Sequence, residues 1–225
     1  MHTFEIEIKV LLGSQEKASE LVKKLYENDS ETNIIGENSQ LNHYFLVQGD
    51  FEKLYQAVQQ YIAPEHHDKL HQVIIEGKGH SIRTREVDGK VLFIVKASVD
   101  DTTSANGTAR IEFEEKINLS LQEADQILLD NGFPYQSKWS RQRKEYKYKD
   151  YNVCIDKNAG YGYVAEFEKM ITDKDQAEST KEAIRKELAL LGIEELDQGR
   201  LERMFTHYNS HRPEYYGTEK TFIIE

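Results

Sequence analysis

A single cysteine, Cys154, stands among 225 residues, so no disulfide can form within the chain and a disulfide-framed secreted scaffold is excluded. No apolar run approaches the roughly 20 residues that a membrane-spanning helix needs. The N-terminus opens directly on a strand-like stretch rather than on the basic, apolar and small-residue succession of a secretory signal, and the expected location is cytoplasmic. Positive charge is the scarcer sign. Lys and Arg number 29 against 40 Asp and Glu, a formal net charge of -11, so neither nucleic acid nor an anionic membrane is expected as a partner. Any anionic ligand must therefore be held locally. Internal repeats and low-complexity segments are also missing, and the length fits one large domain.

What the chain has in abundance is charge. Charged residues make up 31% of it, above the roughly 25% of ordinary domains, so they must coat the surface or pair inside. Thr3 to Leu12 alternates strictly, with Phe4, Ile6, Ile8 and Val10 on one side and Glu5, Glu7 and Lys9 on the other, which predicts a strand. Ser14 caps a helix expected over Glu16 to Tyr26. A short strand around Leu41 to Val47 precedes a second helix, Phe51 to Ile62, with Asp50 as N-cap and Pro64 as its stop. Asp88-Gly89 predicts a hairpin of Ser81 to Val87 with Lys90 to Ala97, and Ser98 to Thr108 has loop composition.

A strand over Arg110 to Ile117 leads to a helix from Ser120 to Asn131, with a Ser120/Glu123 capping box and Gly132 past its end. Strands are expected over Gln136 to Tyr148, Tyr151 to Asp156 and Tyr163 to Ile171, then helices over Asp175 to Leu191 and Arg200 to Tyr208. The aromatic segment from Arg212 to Glu225 has no assigned element. The class is α+β, with a sheet expected to close on itself as an antiparallel barrel surrounded by helices.

Residues two apart share a face of a strand, which sorts the charges. Glu5, Glu7 and Lys9 fall together. So do Arg83 and Arg85, joined by Lys96 if Ser81 pairs with Lys96 across the hairpin. Arg110, Glu112 and Glu114 share a face, as do Arg141 and Arg143, and Glu166 and Glu168; Asp156 ends the strand before that last pair. One such face is explained by solvent. Like charges repeated at spacing two on strand after strand repel unless each faces a ligand, carboxylates converging on a hard divalent cation and guanidiniums on phosphate oxygens.

In this order the motifs resemble those of the CYTH superfamily, the triphosphate tunnel metalloenzymes, which include class IV adenylyl cyclases and thiamine triphosphatases. The resemblance starts at Glu5-Ile6-Glu7-Ile8-Lys9 and continues through Arg83-x-Arg85, Lys96, Arg110-x-Glu112-x-Glu114, Arg141-x-Arg143, Asp156 and Glu166-x-Glu168, over most of Met1 to Ile171. It implies a closed eight-stranded antiparallel tunnel. Arg83, Arg85, Lys96, Arg110, Arg141 and Arg143 would then bind the triphosphate, and Glu5, Glu7, Glu112, Glu114, Asp156, Glu166 and Glu168 would coordinate Mg²⁺ or Mn²⁺. Glu166, Glu168 and Lys9 are the implied catalytic residues.

The expected domain spans residues 1-208, with an insertion at about 49-80 longer than is usual for the family and a tail over 209-225. The expected activity is metal-dependent hydrolysis of a small organic or inorganic triphosphate, with two alternatives. One is an adenylyl cyclase turning ATP into cyclic AMP and pyrophosphate; the other is a non-catalytic module that binds polyphosphate or nucleotide. A homodimer is the assembly considered. His66, His67, His71 and His80 read as loop residues without ligand geometry, and Gly77-Lys78-Gly79 lacks the full phosphate-loop pattern. Cys154 reads as a packing residue. Trp139, Tyr146, Tyr148, Tyr151, Tyr161 and Tyr163 suit barrel packing as well as stacking on a substrate ring.

Overall fold

Alternating apolar residues and well-formed caps set the elements. A computed structural model describes residues 4–98 and 110–224. Its strands are β1 (Phe4–Gly13), β2 (Asn33–Phe45), β3 (Lys78–Val87), β4 (Lys90–Ser98), β5 (Arg110–Ile117), β6 (Tyr135–Tyr148), β7 (Tyr151–Asn158) and β8 (Gly162–Ile171). The helices among the described residues are α1 (Gln15–Asn28), α2 (Phe51–Gln59), α3 (His67–His71), α4 (Leu121–Asp130), α5 (Ala177–Leu191), α6 (Gln198–Ser210) and α7 (Arg212–Tyr215). None is long and apolar enough to cross a membrane.

The strands form one sheet in the order β1-β8-β7-β6-β2-β3-β4-β5, in which the β1-β8, β8-β7, β7-β6, β2-β3, β3-β4 and β4-β5 ladders are antiparallel. This bears out the α+β class and the eight strands. Closure is a different matter: the order ends on β1 and β5, and no ladder joins those two among the described residues.

The chain divides into two units, residues 1–39 with 140–225 and residues 40–139, and the division falls inside β2 and β6. In the first unit Ile6, Ile8, Val10 and Leu12 of β1 are buried with Val153, Ile155, Ala165 and Phe167, under Leu21 and Leu25 of α1 and Ile184 and Leu188 of α5. Ser14 caps α1, its side chain accepting from the Lys17 N–H. The C-terminal segment, unassigned from sequence, folds back here. The Gly160 N–H donates to the Lys220 carbonyl at 2.8 Å, and the Phe222 N–H donates to the Gly160 carbonyl at 2.8 Å. Phe222 meets the rings of Tyr161, His207 and Tyr215.

The second unit has its own core, in which Phe45, Ile82, Phe93, Val95 and Phe113 pack with Leu54 and Val58 of α2 and Leu128 of α4. The capping box of Ser120 and Glu123 forms as expected. The Asp88-Gly89 hairpin also has the expected register, Val87 opposite Lys90 and Ser81 opposite Lys96.

Two expectations need correction, and a third lies outside the described residues. β2 starts at Asn33 rather than near Leu41; its first half carries exposed Ile34 and Ile35 and polar neighbours, so no buried alternation marks it. The histidine region is not a loop. Pro64 opens a 3-10 turn, Pro64–His66, where its missing N–H costs nothing, and α3 and a π-helical turn, Gln72–Glu76, follow. The loop expected over Ser98 to Thr108 lies outside the described residues, save Ser98, which ends β4.

Candidate functional site

Strand registers bring the charged faces together within each unit. In the first, Glu7 lies opposite Glu168 and Lys9 opposite Glu166; Cys154 faces Glu166, and Asn152 faces Glu168. On the far side of β7, Asp156 lies opposite Arg143, and Asn158 opposite Arg141. Residues directly across a ladder share a face, so Glu5, Glu7, Lys9, Arg141, Arg143, Asp156, Glu166 and Glu168 form one surface.

Contacts order that surface into two zones. Asp156, 1% exposed, accepts from Arg143 Nε at 2.7 Å, from Arg143 Nη2 at 2.7 Å and from Arg141 Nη1 at 2.8 Å. Arg143 Nη2 also donates to Glu166. Lys9 Nζ bridges Glu166 Oε1 at 2.7 Å and Glu7 Oε1 at 2.8 Å. Burial alone would raise the Glu166 carboxyl, but Lys9, Arg143 and Arg141 hold it well below the usual carboxylate range. Burial would likewise lower Lys9, and the Glu166 and Glu7 carboxylates hold it above its ordinary value.

The second zone is acidic, and Lys9 reaches it through Glu7. Oxygens of Glu5, Glu7 and Glu168 lie within 4.8 Å of one another. Burial, then the nearby Glu5 and Glu166 charges, push the Glu168 carboxyl up to about 8. Three carboxylates converging in this way are the hard-oxygen donor set that a divalent cation takes. Asp156, expected from the resemblance among the metal ligands, is engaged by the two arginines. Cys154, 2% exposed, also lies on this face, its Sγ 3.8 Å from Glu168 Oε1. Burial pushes its thiol far up, so it stays neutral.

The second unit carries the other cationic face. Arg83 lies opposite Tyr44 and Arg85 opposite Asn42, and each guanidinium donates to its cross-strand partner: Arg83 Nη1 to Tyr44 Oη at 3.0 Å, Arg85 Nε to Asn42 Oδ1 at 2.6 Å. Lys96 lies opposite Glu112, with Nζ 3.0 Å from its carboxylate. Arg83 approaches the same carboxylate at 3.7 Å, and Arg85 approaches Glu114 at 3.5 Å. Arg83 Nε is buried with no protein partner. Arg110 holds the first position of β5, opposite Ser98. Asn42 and Tyr44 were missed from sequence because they are uncharged; only their spacing of two, opposite Arg83 and Arg85, marks them.

The features set aside have local roles. His66 lies 3.4 Å from Glu115 and His71 3.5 Å from Glu76, while His67 and His80 bond backbone carbonyls. Tyr146, Tyr148 and Tyr151 are core residues.

The CYTH domain family model matches residues 3–200. Comparison with curated protein sequences gives no match. Among solved structures, the chain is similar to the PH1819 protein of Pyrococcus horikoshii, with a TM-score of 0.57 and 20% identity over 87% of this chain and 94% of that one. It is also similar to a Vibrio parahaemolyticus protein with a provisional adenylate cyclase name, at TM-score 0.55 and 19% identity over 86% and 91% of the two chains. HpAC1 from Hippeastrum, provisionally named an adenylyl cyclase and described as having a dominant triphosphatase activity, aligns at TM-score 0.51 and 16% identity over 91% and 96%. Identities this low speak to the fold alone. The family match spans both charged faces and all of the strands that bear them, and on it the chain belongs to the CYTH domain family.

Proposed function

We propose that this chain is a metal-dependent phosphohydrolase acting on a small organic or inorganic triphosphate. The observation that carries the reading is the coexistence of a converging carboxylate triad, Glu5, Glu7 and Glu168, with sheet faces rich in arginine. A module that only bound polyanions would gain nothing from carboxylates that repel its ligand. The closed tunnel expected from sequence is part of the proposal and rests on family membership. So does a single domain over residues 1-208.

Glu5, Glu7 and Glu168 would hold Mg²⁺ or Mn²⁺. When bound, such a cation polarises a phosphoryl group and makes a bound water more acidic. The chain's own groups bind and orient. Arg83, Arg85 and Lys96, with Arg110 in the same strand set, would supply charge-assisted hydrogen bonds to phosphate oxygens, and the unpartnered Arg83 Nε is suited to one. Lys9 and Arg143, both fixed on Glu166, keep cations beside the acidic zone, where negative charge grows as the phosphoanhydride breaks. Glu112 and Glu114 pair with the cations, which fits holding them in place better than ligating metal. The partner required is a small-molecule triphosphate.

Cyclisation of ATP uses the same triphosphate contacts, and recognition of the base by the aromatic tail or by the insertion at about 49-80 would favour it. That tail packs Tyr215 and Phe222 on His207, Tyr208 and Tyr161, an arrangement that favours the hydrolytic reading. The test is phosphate release with Mg²⁺ in two variants. Glu166→Gln loosens Lys9 and Arg143, and kcat should fall about a hundredfold. Arg83→Ala should mainly raise KM. Wild-type rates in both variants would overturn the assignment.

A further inference from the structure

Behind the cationic face of the second unit lies a buried polar cluster that the proposed chemistry does not use. Asp125 of α4 is 3% exposed, yet its carboxylate accepts from Thr84 Oγ1 at 2.6 Å, from His43 Nδ1 at 2.6 Å and from Tyr135 Oη at 2.7 Å. Lys138 Nζ lies 4.0 Å from the same carboxylate and 3.7 Å from the Tyr135 ring centroid. Burial would raise the Asp125 carboxyl, but the bonds from His43, Thr84 and Tyr135 hold it below its ordinary value, so it is an ionised acceptor.

The registers show what the carboxylate ties together. His43 and Thr84 are direct cross-strand partners. Thr84 sits between Arg83 and Arg85, and His43 between Asn42 and Tyr44, so the two pairs flanking the bridge are the ones in which each guanidinium meets its neutral partner. A one-residue slip of β2 against β3 would turn these side chains to the wrong face. Stability alone does not call for such a carboxylate, because apolar replacements of buried charge are often neutral or stabilising. A charge that must be satisfied in one geometry instead fixes a register.

We infer that Asp125 is a positioning residue: from behind the sheet, through His43 and Thr84, it locks β2 against β3 and so presents Arg83 and Arg85 as a fixed pair to the phosphate chain. This rests on the triphosphate reading proposed above.

Thr84→Val removes the hydroxyl donor with little change in shape, and Thr84→Ser keeps it. Calorimetric titration with inorganic triphosphate in Mg²⁺, steady-state kinetics and thermal melts would be run on both, alongside Asp125→Asn. Thr84→Val and Asp125→Asn should weaken triphosphate binding about tenfold with kcat within about twofold of wild type, while Thr84→Ser binds as wild type. Wild-type binding in Thr84→Val, or a lowered melting temperature with binding unchanged, would reduce the cluster to core stability and overturn the inference. A wild-type protein that binds no triphosphate would instead overturn the functional reading, and this inference with it.

Discussion

Glu168 shows how far one carboxyl is shaped by its neighbours. Its ordinary value is 4.5, and in the folded protein burial and the Glu5 and Glu166 charges push it up to about 8. The folded state therefore holds a proton that the unfolded chain releases, and the metal-free protein should lose stability as pH rises from 4.5 towards 8. Glu168→Gln removes this penalty. In EDTA its melting temperature should exceed that of wild type at pH 8 and match it near pH 4.5; equal melting curves at both pH values would show that the acidic zone is not strained. The carboxylates and guanidiniums of this face were legible in the sequence because charge at spacing two is visible without a structure. Asn42, Tyr44 and Asp125 were not, since the first two are neutral and the third acts from a helix on the other side of the sheet.

Elements with strong local signals were also legible. The capping box of α4, the Asp88-Gly89 hairpin and the Ser14 cap of α1 rest on short-range rules, and each formed as read. What escaped were elements whose partners are distant. The first half of β2 has no buried alternation, and the C-terminal segment is placed by Gly160, about 60 residues upstream of its contacts at Lys220 and Phe222. Gly160 has φ +83°, and a Cβ there would meet Tyr208 at 2.6 Å and Phe222 at 2.9 Å. Gly160→Ala should therefore cost about 2 kcal/mol or more in urea unfolding and open the tail to trypsin after Lys220. Unchanged stability and cleavage would mean that the tail is not held at this glycine.

At the scale of the whole molecule, two cores and two charged faces are built on one eight-stranded order. The α+β class and the strand count could be derived from periodicity and motif order. The division into units could not, because it falls within β2 and β6, where no linker composition marks it. The net charge of -11 leaves the proposed anion-binding groups as a local exception, consistent with a small ligand rather than a polymer. The most direct test of the central claim is product analysis by phosphorus NMR after incubation with inorganic triphosphate, thiamine triphosphate and ATP, each with Mg²⁺ or Mn²⁺ and again with EDTA. Metal-dependent release of orthophosphate from at least one of them is the predicted result; cyclic AMP with pyrophosphate from ATP, or no turnover of any of the three, would contradict it.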